Sequence, residues 1–240
     1  MKRIMVGLVA VTVLFMALGG VYFFFRGQAF IGTIAEPRSR PPLLIIDPGH
    51  GGADGGAVGT TGVHESEINL AVGLRLEALA ALYGIPTEMT RRTAEIDYPE
   101  SATTIRAKKV ADTRARVALI NNAPNPVVVS IHQNTYDGPG ATGPQVLFAA
   151  TPGSEAFAQQ MQAALTVGLG LERPRSPAKV PGGVYLMNHI TPPAILVECG
   201  FLSNPAEEAL LQTQTYQLRL AAILLAGYVQ SIDLFEGSGM

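Results

Sequence analysis

The chain has one cysteine, Cys199, in 240 residues. No internal disulfide can form, so the fold must be held by its apolar core. Positive charge is not in surplus: 17 Lys and Arg stand against 19 Asp and Glu, for a formal net charge of −2. Nucleic-acid binding draws on a basic face, and this composition argues against it. Internal repeats and low-complexity tracts are lacking as well, which excludes a solenoid or a repeat array. A glycine-rich stretch does occur, Gly49-His50-Gly51-Gly52-Ala53-Asp54-Gly55-Gly56. It lacks the lysine and hydroxyl of a GxxxxGK[ST] loop, so it is not a phosphate cradle.

What is present begins with an uncharged run, Ile4 to Phe25, behind Met1-Lys2-Arg3. As a helix, about 22 residues would extend roughly 33 Å, enough to cross a bilayer. The run exceeds an ordinary signal-peptide core, and Gly27-Gln28-Ala29 is a poor small-x-small cleavage site. An N-terminal transmembrane helix is therefore expected over 1–26, as an anchor or an uncleaved signal. Lys2 and Arg3 before the span favour a cytoplasmic N-terminus and an extracytoplasmic domain. Residues 27–41, with Pro37, Arg38, Ser39, Arg40 and Pro41, read as a linker. The domain is expected over 42–235.

That domain alternates strand and helix patterns, which predicts an α/β fold. The expectation is a mostly parallel twisted sheet of about six strands with helices on both faces. The strands read as Leu43–Ile46, Ile85–Thr90, Val127–Ile131, Gln145–Phe148, Val184–Met187 and Ala194–Glu198. A helical stripe of Ile68, Leu70, Ala71, Leu74, Leu76, Leu79 and Leu82 ends at Gly84. Further helices are expected over about 103–121, 154–169 and 215–232. In the first of these, Arg106, Lys108, Lys109, Arg114 and Arg116 read as a solvated face, or in part as a face for an anionic glycan polymer.

Three of the strand runs end in chemistry. Leu43-Leu44-Ile45-Ile46 leads to Asp47-Pro48-Gly49-His50, Val127-Val128-Val129-Ser130-Ile131 to His132, and Ala194-Ile195-Leu196-Val197 to Glu198. Open α/β sheets bind ligands at the carboxyl ends of their strands. Glu65, at the start of the first helix, is a fourth candidate. Two His and a Glu with one open position can hold catalytic Zn²⁺, and the remaining Glu would be the general base. Spacing alone does not separate Glu65 from Glu67, since either could sit at the helix N-terminus. Glu198 is harder to explain as structure, because a carboxylate ending an apolar strand is costly to bury unpaired. Asp47 is expected to bond backbone or to orient His50. His64 and His189 read as surface or rim positions. Cys199 follows Glu198 on a strand and so should pack away from the site.

In order, the chain carries Asp47-Pro48-Gly49-His50-Gly51-Gly52, Glu65 before Ile68-Asn69-Leu70, Thr90-Arg91, Ser130-Ile131-His132-Gln133-Asn134 and Val197-Glu198-Cys199-Gly200-Phe201-Leu202-Ser203-Asn204. These motifs resemble the zinc-dependent N-acetylmuramoyl-L-alanine amidases of the cell-wall amidase type 3 family. The resemblance implies zinc held by His50, Glu65 and His132, Glu198 as catalytic base, and peptidoglycan as substrate. A short anchored chain without wall-binding repeats, with Gly183-Val184-Tyr185-Leu186-Met187 and Ala107-Lys108-Lys109, looks most like the germination-specific cortex amidases of endospore formers. That implies spore cortex as the wall, a step toward muramic-δ-lactam, and a place in the cell envelope or the forespore intermembrane space. Gln133, Thr135 and Cys199 depart from the family pattern but remove no ligand. The need for an activating partner protein stays open.

Rival readings are a zinc exopeptidase of similar topology and an inactive peptidoglycan-binding protein. The exopeptidase needs a basic group to capture a terminal carboxylate, and the sequence singles none out. Some division amidases of the family carry a blocking helix after the second histidine motif. Here 136–144 hold three glycines and two prolines, too many for a helix of two or three turns.

Overall fold

The computed structural model describes residues 40–138 and 140–235. The chain runs β1 Leu43–Pro48, α1 Glu65–Leu82, β2 Thr87–Met89, α2 Ile105–Asn122, β3 Pro126–Asn134, β4 Gln145–Phe148, α3 Ser154–Leu169, β5 Ala178–Lys179, α4 Tyr185–His189, β6 Ala194–Phe201, α5 Pro205–Leu211 and α6 Gln214–Ser231. One six-stranded sheet has the order β2-β1-β3-β6-β4-β5. Every pairing is parallel except β4 with β6, which is antiparallel.

The continuous apolar runs of β1 and β3 are what a sheet covered on both faces requires. Successive side chains alternate. Leu44, Ile46, Val127 and Val129 pack with Ile68, Val72 and Leu76 of α1, Phe157 and Met161 of α3 and Leu224 of α6. Ile45, Val128 and Leu196 face the other way, onto Ile120 of α2 and Leu186 and Met187 of α4. The Tyr228 hydroxyl of α6 donates to Pro42 O (2.6 Å), tying the last helix to the start of β1.

Two expectations fail in detail. Val184–Met187 is not a strand: residues 185–189 form α4, and the sixth strand is instead the two-residue β5. Leu186, Met187 and Ile190 are the buried positions there, a spacing that a helical turn places on one side. The apolar stripe of α1 is also rotated. Ile68, Val72, Leu76 and Ala80 are buried, whereas Leu74 and Leu82 face solvent.

Among the described residues no helix is long and apolar enough to cross a membrane. The span expected at 4–25 lies outside those residues, as does nearly all of the 27–41 linker.

Candidate metal centre

β1 delivers His50 through a turn that the glycines make possible. His50 itself has φ 59°, in the left-handed region that non-glycine residues seldom enter and that functional sites often retain. At Gly49 a Cβ would lie 2.3 Å from the His132 ring, and at Gly56 it would lie 2.6 Å from Glu65 Oε2. The turn can close on the centre only with hydrogen at both places. His132 lies near the end of β3 and pairs in register with Glu198 of β6. The two imidazoles stand edge to face, 5.0 Å between centroids.

Glu65 is the first residue of α1 and is 3% exposed, while Glu67 faces solvent. The structure thus brings Glu65, and not Glu67, between the imidazoles. Its Oε2 is 3.3 Å from His50 Nε2 and its Oε1 is 2.9 Å from His132 Nδ1. Ligand atoms of His50, Glu65 and His132 all lie within 4.8 Å of one another. Tetrahedral bonds of about 2.0–2.1 Å put ligand atoms roughly 3.3 Å apart, so this donor set fits zinc in type and spacing.

The surroundings set the protonation of the carboxylates. Burial alone would raise the pKa of Glu65, but the hydrogen bond and charge of His132, with the charge of His50, bring it to about 2. Backbone N–H groups of Ala57 (2.9 Å) and Gln133 (3.0 Å) also donate to it. Glu198 goes the other way. Burial lifts its pKa to about 7, with Glu65 adding to the rise and His132 opposing it. Its Oε2 is buried without a hydrogen-bond partner among the described residues. A buried carboxyl oxygen with no donor is costly, and a site that later receives a polar group accounts for it. Glu198, His50 and His132 open on a cleft of about 330 Å³, walled by Lys109 and Thr113 of α2 and by Tyr185 of α4.

Asp47 does not orient His50. It is 2% exposed and accepts from Thr90 Oγ1 (2.7 Å), Ser130 Oγ (2.6 Å) and Arg116 Nη1 (2.9 Å). Asp54 takes the orienting role, 2.8 Å from His50 Nδ1 and 2.9 Å from Lys109 Nζ. Burial pushes the Asp54 carboxyl up, but its contacts with His50 and Lys109 hold it well below the usual carboxylate range. Arg116 is not on a solvated face either: it is 5% exposed, donating to Pro48 O (2.8 Å) and His50 O (2.7 Å) as well as Asp47. The signal was its place four residues before Ile120, on the buried side of α2. Behind Glu65 lies a further pair missed in the sequence. Gln133 Nε2 donates to Asn69 Oδ1 (3.1 Å), and Asn69 Nδ2 donates to Glu65 Oε1 (3.3 Å).

His64 is exposed, and His189 ends α4, exposed, with its ring stacked on Tyr185 at 3.7 Å. Cys199 is buried in the core, its thiol pushed up to about 12 by burial. None of the described residues in 136–144 is helical, and none of them lines the cleft.

The sequence matches the family model described as N-acetylmuramoyl-L-alanine amidase over residues 44–228. It is 34% identical over 212 residues to the germination-specific N-acetylmuramoyl-L-alanine amidase of Bacillus subtilis, covering 87% of this chain and 88% of that one. A Neisseria meningitidis N-acetylmuramoyl-L-alanine amidase is 26% identical, with 82% of this chain spanning 54% of that protein. The fold superimposes with a TM-score of 0.76 on the CwlD amidase of Clostridioides difficile, solved in complex with the GerS lipoprotein. Identity there is 30%, over 80% of this chain and 98% of that one.

Proposed function

The chain belongs to the N-acetylmuramoyl-L-alanine amidase family, and from that membership we propose a zinc-dependent peptidoglycan amidase acting on spore cortex. It would hydrolyse the amide joining N-acetylmuramic acid to L-alanine, as a step toward muramic-δ-lactam. The cortex assignment draws on likeness to the Bacillus subtilis germination-specific relative. By analogy with the Clostridioides difficile complex, a lipoprotein is the kind of partner proposed for it. Anchoring through residues 1–26, with the domain outside the cytoplasm, is part of the same proposal.

His50, Glu65 and His132 would hold the metal. A zinc ion bound there supplies Lewis-acid polarisation of water and of an amide carbonyl. Asp54 accepts from His50 Nδ1, which fixes the tautomer and leaves Nε2 facing Glu65. Lys109 and Arg116 hold Asp54 and the His50 carbonyl in turn. Glu198, which lines the cleft and keeps one carboxyl oxygen without a partner among the described residues, takes a proton from the attacking water and returns it to the leaving amine. The observation that carries this reading is a free buried carboxyl beside a three-ligand cluster, each ligand delivered to one sheet edge.

The test is hydrolysis of purified cortex peptidoglycan, followed by release of N-terminal L-alanine, with and without chelator. Activity should vanish with chelator and return with zinc. Activity indifferent to chelation, or directed at simple free peptides, would refute the reading.

A further inference from the structure

Beside the metal centre lies a second cavity, lined by Asn134, Tyr136, Gly140, Ala141, Arg175 and Phe201. Its cation is fixed but not neutralised. The Arg175 guanidinium stands 4.8 Å from the centroid of the Phe201 ring, and its Nε donates to Thr142 O (3.2 Å). The terminal nitrogens of Arg175 have no hydrogen-bond partner, and no ion pair engages them, among the described residues. Glu207 lies behind the same loop, but its two oxygens accept from Gly143 N–H (2.6 Å) and Phe201 N–H (2.8 Å). Tyr136 N–H donates to Ser203 Oγ (3.0 Å) and Asn204 Nδ2 to Ala141 O (3.2 Å). The wall of the cavity is therefore pinned at several points rather than left loose.

An arginine held at Nε and on an aromatic face, with its terminal fork open, suits a carboxylate. Position narrows the choice. Asn134 is two residues beyond His132 on β3, roughly 7 Å along the strand. Two residues of extended peptide cover about the same distance. We propose that this cavity is a specificity subsite in which Arg175 binds a free carboxylate on the peptide part of the substrate, about two residues beyond the cleaved amide. The inference rests on the amidase reading above. It makes the protein a discriminator between stem peptides whose second residue keeps its carboxyl free and those in which that group is amidated. Tyr136, 58% exposed, gives the peptide an aromatic edge to lie against.

Arg175 is also the basic group that an exopeptidase would need, so the test includes a free peptide. The full-length Glu198→Gln protein would be titrated with three probes. One is an N-acetylmuramoyl tripeptide with the second-residue carboxylate free, one is its carboxamide twin, and one is the same tripeptide without the sugar. The carboxylate form should bind roughly tenfold to a hundredfold more tightly than its twin. Arg175→Gln in the same background should abolish that preference, and Arg175→Lys should keep part of it. Equal affinity for the twins before Arg175 is changed, or a preference that survives Arg175→Gln, overturns the subsite alone. Binding of neither muramoyl probe, or equally tight binding of the sugar-free peptide, removes the amidase reading and the subsite with it.

Discussion

Glu198 stands within the apolar strand β6 with one carboxyl oxygen that no described residue satisfies. In the proposed role of base rather than ligand, it could be changed to Gln without loss of a metal donor. Hydrolysis by Glu198→Gln should fall by a factor of about 10² to 10⁴ with zinc content unchanged. Zinc loss in that variant would mean that Glu65 and Glu198 exchange roles. Ligand removal should look different. His50→Ala, His132→Ala and Glu65→Ala should each lower zinc occupancy along with activity, whereas the solvent-facing Glu67→Ala should do neither; zinc analysis of the four purified variants decides. Arg116→Met leaves Asp47 buried without its cation and should destabilise the fold by about 3–5 kcal/mol. Burial works to raise the Asp47 pKa, but Arg116, Ser130 and Thr90 bring it below the ordinary value. Stability from a depressed carboxyl is present above the unfolded pKa of about 4 and fades as pH falls through the folded value. The wild-type advantage over Arg116→Met should accordingly shrink in melts taken on the acid side of that pH, and a flat difference would contradict the pairing. His50, His132 and Glu198 were legible because each closes an apolar run. The partners of Asp54 and Arg116 were not, since Lys109 reaches Asp54 across 55 positions of chain and Arg116 reaches the His50 carbonyl across 66, separations that no local pattern records.

Elements differ in how plainly the sequence announces them. β1, β3 and β6 are runs of residues buried on both faces, so composition alone marks them. β5 has two residues and no pattern to find. α4 was mistaken for a strand because a short apolar run fits either period. α5 was overlooked despite Asn204 at its N-cap, Pro205 at its first turn, and Glu207 and Glu208 beside them. This short helix has a reach beyond its size. Glu208 is fully buried and accepts from the Thr60 hydroxyl and from Thr61 N–H (2.9 Å) and Oγ1 (2.7 Å). The clamped loop then accepts Glu65 N–H at Ala57 O (2.9 Å). Glu208→Ala should lower both the melting temperature and the zinc affinity, and Glu208→Gln should lower them less. Unchanged metal affinity in a destabilised Glu208→Ala would show that the clamp serves the fold only.

At the scale of the whole molecule, a parallel sheet with covering helices was legible, but its strand order was not. β1 and β3 are neighbours although β2 and α2 intervene in the chain, and β6 sits between β3 and β4. Local periodicity holds no trace of such pairings. Metal binding should couple to the stability of this entire sheet, because the proposed ligands come from the β1 turn, α1 and β3. Zinc at about 100 times its dissociation constant should stabilise the wild type by about 2.7 kcal/mol. His132→Ala should show no comparable rise in calorimetry, and an equal rise would place the metal elsewhere. The reversed direction of β4 has one more effect. β3 runs outward to the edge where His50, Glu65 and His132 gather, and β4 starts back from that edge, with Gln145 opposite Glu198. The connection between them both leaves and re-enters the sheet at the rim of the cleft. Lengthening it would disturb no strand pairing, and each doubling adds only about 0.6 kcal/mol of closure entropy. New sequence at this rim leaves the sheet intact where it keeps the contacts of Tyr136, Ala141, Thr142 and Gly143, which makes 136–144 a natural slot for acquiring a cover, a switch or a docking tag.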